Sequence, residues 1–170
     1  SQFLGPHVTI MGDNLATMES FFSQESEEKQ SLVLRRLRQY LSRACDKELG
    51  AHPMIHSLCL AYCQYSTYTR VKDLIEQLCR TGAAGHMWST EDGVRVMLYC
   101  LFYGSTKERK QLVKSCKGHV KDMCLHPKGY LAVIAILNIV DDTKITTLVH
   151  MAEMKGYLAE LACDQHGNKV

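Results

Sequence analysis

Five lysines, Lys107, Lys110, Lys114, Lys117 and Lys121, recur at i, i+3, i+7, i+10 and i+14. On one continued helix they form a single stripe, and Leu112, Val113, Cys116 and Val120 supply its buried side. Ammonium groups at that pitch can lie along phosphates, each neutralised phosphate adding salt-dependent affinity. The plain alternative is a solvated helix face. The charge layout points the same way. Residues 1–30 carry one lysine against five acids, residues 31–130 carry sixteen Lys and Arg against eight acids, and residues 131–170 carry three against five. A basic middle segment implies an acidic partner, nucleic acid first.

Other chemistry finds less support. His52, His56, Cys59 and Cys63 share a helical stripe and are zinc-ligand types. His52 precedes Pro53, however, and falls outside the helix, while the cysteines fit an apolar face without metal. Asp141-Asp142 imitates a carboxylate pair but serves equally as a helix cap. No G-x-S-x-G, P-loop or H-E-x-x-H motif occurs, so neither an enzyme nor a cofactor or metal is expected. The eight cysteines include no C-x-x-C pair, and most lie in apolar runs. Reduced thiols in an intracellular compartment are expected. The longest apolar stretch, Tyr130 to Val140, is too short to span a bilayer, and no membrane association is expected.

The candidate cations must be held by helices, and one stretch shows how. Thr90 to Leu101 reads T-E-D-G-V-R-V-M-L-Y-C-L. Thr90 is a good N-cap, and Glu91 and Asp92 favour the positive end of the helix dipole. The apolar run behind them, interrupted only by Arg95, covers too much circumference for a surface helix, so neighbours pack on two sides. The same shape opens at His52-Pro53-Met54-Ile55-His56, at His126-Pro127-Lys128-Gly129-Tyr130 and at Asp164-Gln165-His166-Gly167-Asn168-Lys169-Val170. Aligning Ile55, Gly93, Gly129 and Gly167 gives spacings of 38, 36 and 38 residues. Such a period signals stacked helical repeats around one continuous core.

In chain order, a helix is expected at Asn14–Phe22, a candidate remnant of an earlier repeat. A long helix follows from Ser26 to about Cys45, with Val33, Leu34, Leu37 and Leu41 buried. Helices are then expected at Met54–Tyr65, Tyr68–Arg80, Glu91–Tyr103, Thr106–Lys117 and Lys128–Val140, with a short one after Gly118. The segment Thr143–Ala162 is one helix or a broken pair. Thr81-Gly82-Ala83-Ala84-Gly85 marks a loop, and Ser105 with Glu108 a capping box. No strand is expected. Ser1 and Val170 read as the ends of a fragment.

The motifs H-x-x-G-x-x-V and D-Q-H-G-N-K-V resemble the start of the second helix of Pumilio (PUF) repeats, whose three helices suit a period of about 36–38 residues. T-E-D-G-V-R-V-M-L-Y-C-L-F-Y-G-S-T-K-E-R-K, followed by N-I-V-D-D-T-K-I, resembles the Puf-A branch more closely. The resemblance runs from about His52 to Val170. It implies an all-α solenoid of Pumilio-type three-helix repeats, with an N-terminal helical segment (1–50, a degenerate repeat) and Pumilio-like repeats (51–170, the last truncated).

In base-reading members, the first and fifth residues after the register position contact a base edge and the second stacks. Carried over, the edge pairs are His56/Leu60, Val94/Leu98 and Tyr130/Ile134, with Asn168 opening a fourth. The stacking positions are Ser57, Arg95, Leu131 and Lys169. Aliphatic fifth positions cannot read a base, which leaves Arg95 and Lys169, with Lys128 and Asn168 beside register glycines, as nucleic-acid candidates. The resemblance therefore implies RNA, rRNA above all, or DNA bound through its backbone with little sequence preference. It further implies partnership with pre-ribosomal particle proteins in large-subunit assembly in the nucleolus and nucleus. A sequence-specific messenger-RNA regulator and a protein-binding scaffold are the alternatives. The lysine helix is expected on the outside, beyond the usual groove.

Overall fold

The computed structural model describes residues 20–170. The expected Asn14–Phe22 helix lies outside the described residues except at its end, where residues 20–24 are helical. Helix α1 spans Glu27–Asp46, with Glu27 and Glu28 in its first turn. Its buried stripe, Val33, Leu34, Leu37, Leu41, Ala44 and Cys45, follows the helical period. Behind it the chain turns through Glu48, which adopts a left-handed φ of 57°, into a 3-10 turn at Leu49–Ala51.

Helices α2 (Pro53–Tyr65), α4 (Glu91–Tyr103) and α7 (Gly129–Ile139) pack side by side as one row. Behind them α1, α3 (Tyr68–Thr81), α5 (Thr106–Ser115) and α8 (residues 143–155) form a second row. Helix α8 begins at Thr143–Thr146, winds through a π turn over Thr147–Met151 and ends in Ala152–Lys155. Short segments join successive units: Leu49–Ala51, a 3-10 run at Ala83–Ser89, α6 (Val120–Leu125) and α9 (Leu158–Cys163). Among the described residues no strand occurs, and the all-α expectation holds. One apolar core runs from Leu34 to Leu161. Leu74, Leu78 and Leu112 are 0% exposed, and each contributes about 1.5–3 kcal/mol by leaving water.

Polar ties fix the first rear-row pair. The Arg38 Nη1 donates to Gln77 Oε1 at 2.5 Å, its Nη2 to the Asp73 carbonyl at 3.2 Å, and Gln77 Nε2 donates to Ser42 Oγ at 2.8 Å. Two expected features change. The loop at Thr81–Gly85 reduces to Gly82, whose φ of +79° ends α3, and Ala83–Ser89 coils again at once. The expected Thr106–Lys117 helix stops at Ser115, with Cys116 as its cap.

The register glycines owe their identity to packing. At Gly129 a Cβ would stand 2.8 Å from the Met123 carbonyl oxygen, and at Gly167 2.8 Å from that of Leu161. At Gly93 it would run into the Met87 carbonyl. In each case the clashing residue lies six positions earlier, in the short segment, so each unit's short segment is pressed onto its central helix. Ile55 occupies the register position of the first unit, where the short segment shrinks to the 3-10 turn Leu49–Ala51.

Candidate nucleic-acid interface

Each central helix is capped three residues before its register position. His52 Nδ1 accepts from Met54 N at 3.2 Å, and Thr90 Oγ1 accepts from Gly93 N at 3.0 Å. His126 Nδ1 accepts from Lys128 N and Gly129 N at 3.2 and 3.1 Å. Asp164 Oδ1 accepts from His166 N and Gly167 N at 2.7 and 2.8 Å, and these bonds hold its carboxyl below the usual range. The recurring cap gives every unit the same entry into its central helix.

Three edge-reading positions, His56, Leu60 and Val94, are spent inside the array, while Leu98 and Ile134 are half-buried. His56 is fully buried, with Nδ1 2.7 Å from Thr90 Oγ1 and Nε2 2.7 Å from the Gly50 carbonyl. Burial lowers its pKa. Val94 and Leu60 are 3% and 1% exposed and carry no polar group. Tyr130, half-buried, stacks on His166 of the next unit at 5.5 Å, and Asn168 is exposed.

The stacking positions face outward but are partly engaged. Ser57 Oγ donates to Asp92 at 2.5 Å. Arg95 pairs with Glu91 at 2.8 Å, and Lys128 reaches the other oxygen of Glu91 at 2.9 Å. Lys128 first, then Arg95, keeps the Glu91 carboxyl below its usual range. Two of the expected phosphate contacts thus share one acid. Lys169 lies 5.1 Å over the Tyr130 ring and remains exposed.

The lysine stripe does not survive folding as one row. Lys107, Lys110 and Lys114 lie on α5, but the helix ends at Ser115, and Gly118 turns the chain at φ +86°. Lys117 falls in that turn and Lys121 on α6. Lys110 pairs with Asp142 at 2.8 Å, and Lys121 with Glu160 at 2.9 Å while lying 4.1 Å over the Tyr157 ring. Lys107, Lys114 and Lys117 are exposed and have no carboxylate partner among the described residues. Because α5 belongs to the rear row, Lys107 and Lys114 occupy a different row from Arg95 on α4.

Sequence reasoning missed Glu91 as the acid common to Arg95 and Lys128. Its i, i+4 relation to Arg95 was visible, and Lys128 lies 37 residues on, close to one repeat. His52 and His56 are engaged as cap and inter-unit bridge, and among the described residues no three His, Cys, Asp or Glu side chains converge as for a metal. Among the same residues, no helix is long and apolar enough to cross a membrane. Asp142 caps α8 through Ile145 N at 3.1 Å, a structural task.

Three-helix units on a fixed register, with capped central helices in one row, define an α-solenoid. No family model matches the chain. Pumilio homolog 3 of Danio rerio is 30% identical over 139 residues, covering 81% of this chain and 22% of that protein. Pumilio homolog 24 of Arabidopsis thaliana is 31% identical over 137 residues, covering 81% of this chain and 21% of that protein. The crystal structure of human Puf-A matches with a TM-score of 0.75 at 28% identity, covering 84% of this chain and 28% of that one. The crystal structure of human Puf-A in complex with DNA matches equally. The chain belongs to the Pumilio family, in its Puf-A-type branch. It spans about a fifth of the length of the curated relatives it matches.

Proposed function

We propose that this chain is part of a Pumilio array that binds RNA, and DNA as well, through the sugar–phosphate backbone with little sequence preference. The observation that carries this reading is the loss of base-reading chemistry at the edge positions: His56 is committed to Thr90 and Gly50, Val94 and Leu60 are buried, and Leu98 and Ile134 are aliphatic. Among the described residues, unpaired charge stays exposed at Lys169, Lys107, Lys114 and Lys117, beside Asn168. Charge without a donor–acceptor pattern favours phosphate over base edges. The complex of human Puf-A with DNA supports the ligand class. Action on pre-ribosomal RNA in large-subunit assembly, with nucleolar residence and pre-ribosomal protein partners, is the finer part of the proposal; it is supported by the Puf-A resemblance.

The test is a salt series of binding isotherms for the full chain with structured RNA, single-stranded RNAs of varied sequence, and duplex DNA. Similar affinities with a steep salt slope are expected, weakened by Lys169→Glu or by Lys107→Glu with Lys114→Glu. A strong preference for one short single strand sinks the proposal in favour of a messenger-RNA regulator. No binding at low salt leaves the protein scaffold.

A further inference from the structure

Phe102 is 61% exposed although it sits on a central helix. It follows Arg95 by seven residues, two helical turns, so both project from the same face of α4. Its register equivalents in the flanking central helices are Gln64 and Asn138, nine positions after Ile55 and Gly129, and both are exposed. The open face of the row therefore carries amide, aromatic ring and amide side by side at one level. The core does not require a ring there, because the neighbouring units place amides at the same point. Beside it Tyr103, 47% exposed, stacks on Tyr99 at 5.6 Å and meets Tyr68 edge-on at 6.0 Å, so the helix end is braced by rings. Arg109 Nη2 donates to the Phe102 carbonyl at 3.4 Å, and its Nε has no partner among the described residues.

We propose that Phe102, flanked by Gln64 and Asn138, is a base-stacking subsite for single-stranded nucleic acid, two helical turns from the position at which Pumilio repeats ordinarily stack bases. The inference rests on the nucleic-acid reading above and places a base within it. An unstacked base offers its π-face to the Phe102 ring, as aromatic platforms do in single-strand binders, and every base has such a face. The Gln64 amide, and that of Asn138 whose Nδ2 also donates to the Ile134 carbonyl at 2.9 Å, present donors and acceptors to base edges without fixing one sequence. The guanidinium of Arg109, held at the Phe102 backbone carbonyl, places a cation at the end of the same helix. Paired bases have no free face, so the subsite accepts single strands and rejects duplex.

The full chain is titrated with a mixed-sequence single-stranded RNA of about a dozen nucleotides, single-stranded DNA of the same sequence, and the matching duplex. Strands carrying 2-aminopurine report stacking through fluorescence quenching. Phe102→Ala is expected to weaken both single strands by about 5- to 100-fold and abolish the quenching, with duplex affinity and salt slope unchanged. Phe102→Trp is expected to restore both. Circular dichroism verifies that the variants fold. Unchanged single-strand binding by Phe102→Ala, while Lys169→Glu still weakens it, overturns the subsite and leaves the backbone-binding proposal standing. Equal loss for single strands and duplex also overturns it, because a stacking contact cannot act on paired bases. Failure of the parent chain to bind any of the three at low salt overturns both, and leaves the exposed rings to a protein partner.

Discussion

His56 and Thr90 close a hydrogen-bond chain whose direction is fixed by its ends. The Gly50 carbonyl only accepts, so His56 Nε2 carries the proton. In the neutral ring Nδ1 is then an acceptor, and the Thr90 hydroxyl donates to it over 2.7 Å while accepting from Gly93 N. One hydroxyl thus caps α4 and bolts it to the preceding unit. Thr90→Val is expected to cost about 2–3 kcal/mol in denaturant unfolding, the sum of a lost cap and a stranded buried imidazole acceptor. Thr90→Ser should retain most of it. Equal midpoints for Thr90→Val and the parent contradict the bolt.

Acid should loosen the array through His150. This residue is 0% exposed on the π turn of α8, with neither ring nitrogen hydrogen-bonded among the described residues. Burial pushes its pKa down from 6.5 to about 4, against a smaller opposing pull from Glu153. Between these values the unfolded chain takes up a proton that the native one refuses. Stability is therefore full above pH 6.5 and falls below it by about 1.4 kcal/mol per pH unit. The accumulated loss is on the order of 3 kcal/mol near pH 4. His56, lowered in the same direction by burial, adds to the decline. Thermal melts from pH 7.5 to 4.5 should show a shallower slope in His150→Leu, and an identical slope rules the residue out.

Two glycines make a matched pair for the close-packing argument. Gly93→Ala drives a methyl into the Met87 carbonyl, and unfolding by several kcal/mol is expected. Gly156 has nothing within 4 Å of its Cβ site and a φ of −73°. Gly156→Ala should be neutral or stabilise by up to about 1 kcal/mol, through the unfolded chain. Chemical denaturation of both variants checks the contrast.

Much of this fold was legible in the sequence because its signals were local. Thr90 and Gly104 bound α4 as the sequence indicated, and Ser105 with Glu108 forms the expected capping box. The repeat register survived because each glycine is required by a carbonyl six residues earlier. The lysine stripe failed because spacing was extended through Gly118, which folds left-handed and ends the periodicity. The pairing of Lys128 with the Glu91 that already holds Arg95 stayed hidden for a different reason. It depends on how two units face each other, which no window along the chain records.

Glu91 is a brake on the interface in that account. Glu91→Gln should release Arg95 and Lys128 to phosphate, raising affinity for structured RNA and steepening the log–log salt slope by about 1–2. Isotherms at four salt concentrations measure both quantities. An unchanged slope means that the two cations do not reach the ligand.

The cysteines turn this molecule into its own recorder. Seven of them, from Cys45 to Cys124, are buried across successive units, and Cys163 is exposed. Burial holds Cys63 and Cys116 up at about 12 and Cys124 at about 11, so these three offer no thiolate while their units stay closed. A thiol-reactive reagent added to the native chain marks Cys163 at once and each other site only when that stretch opens. The order in which masses accumulate, mapped by peptide, gives the sequence in which the units come apart, with no cysteine added and no side chain replaced.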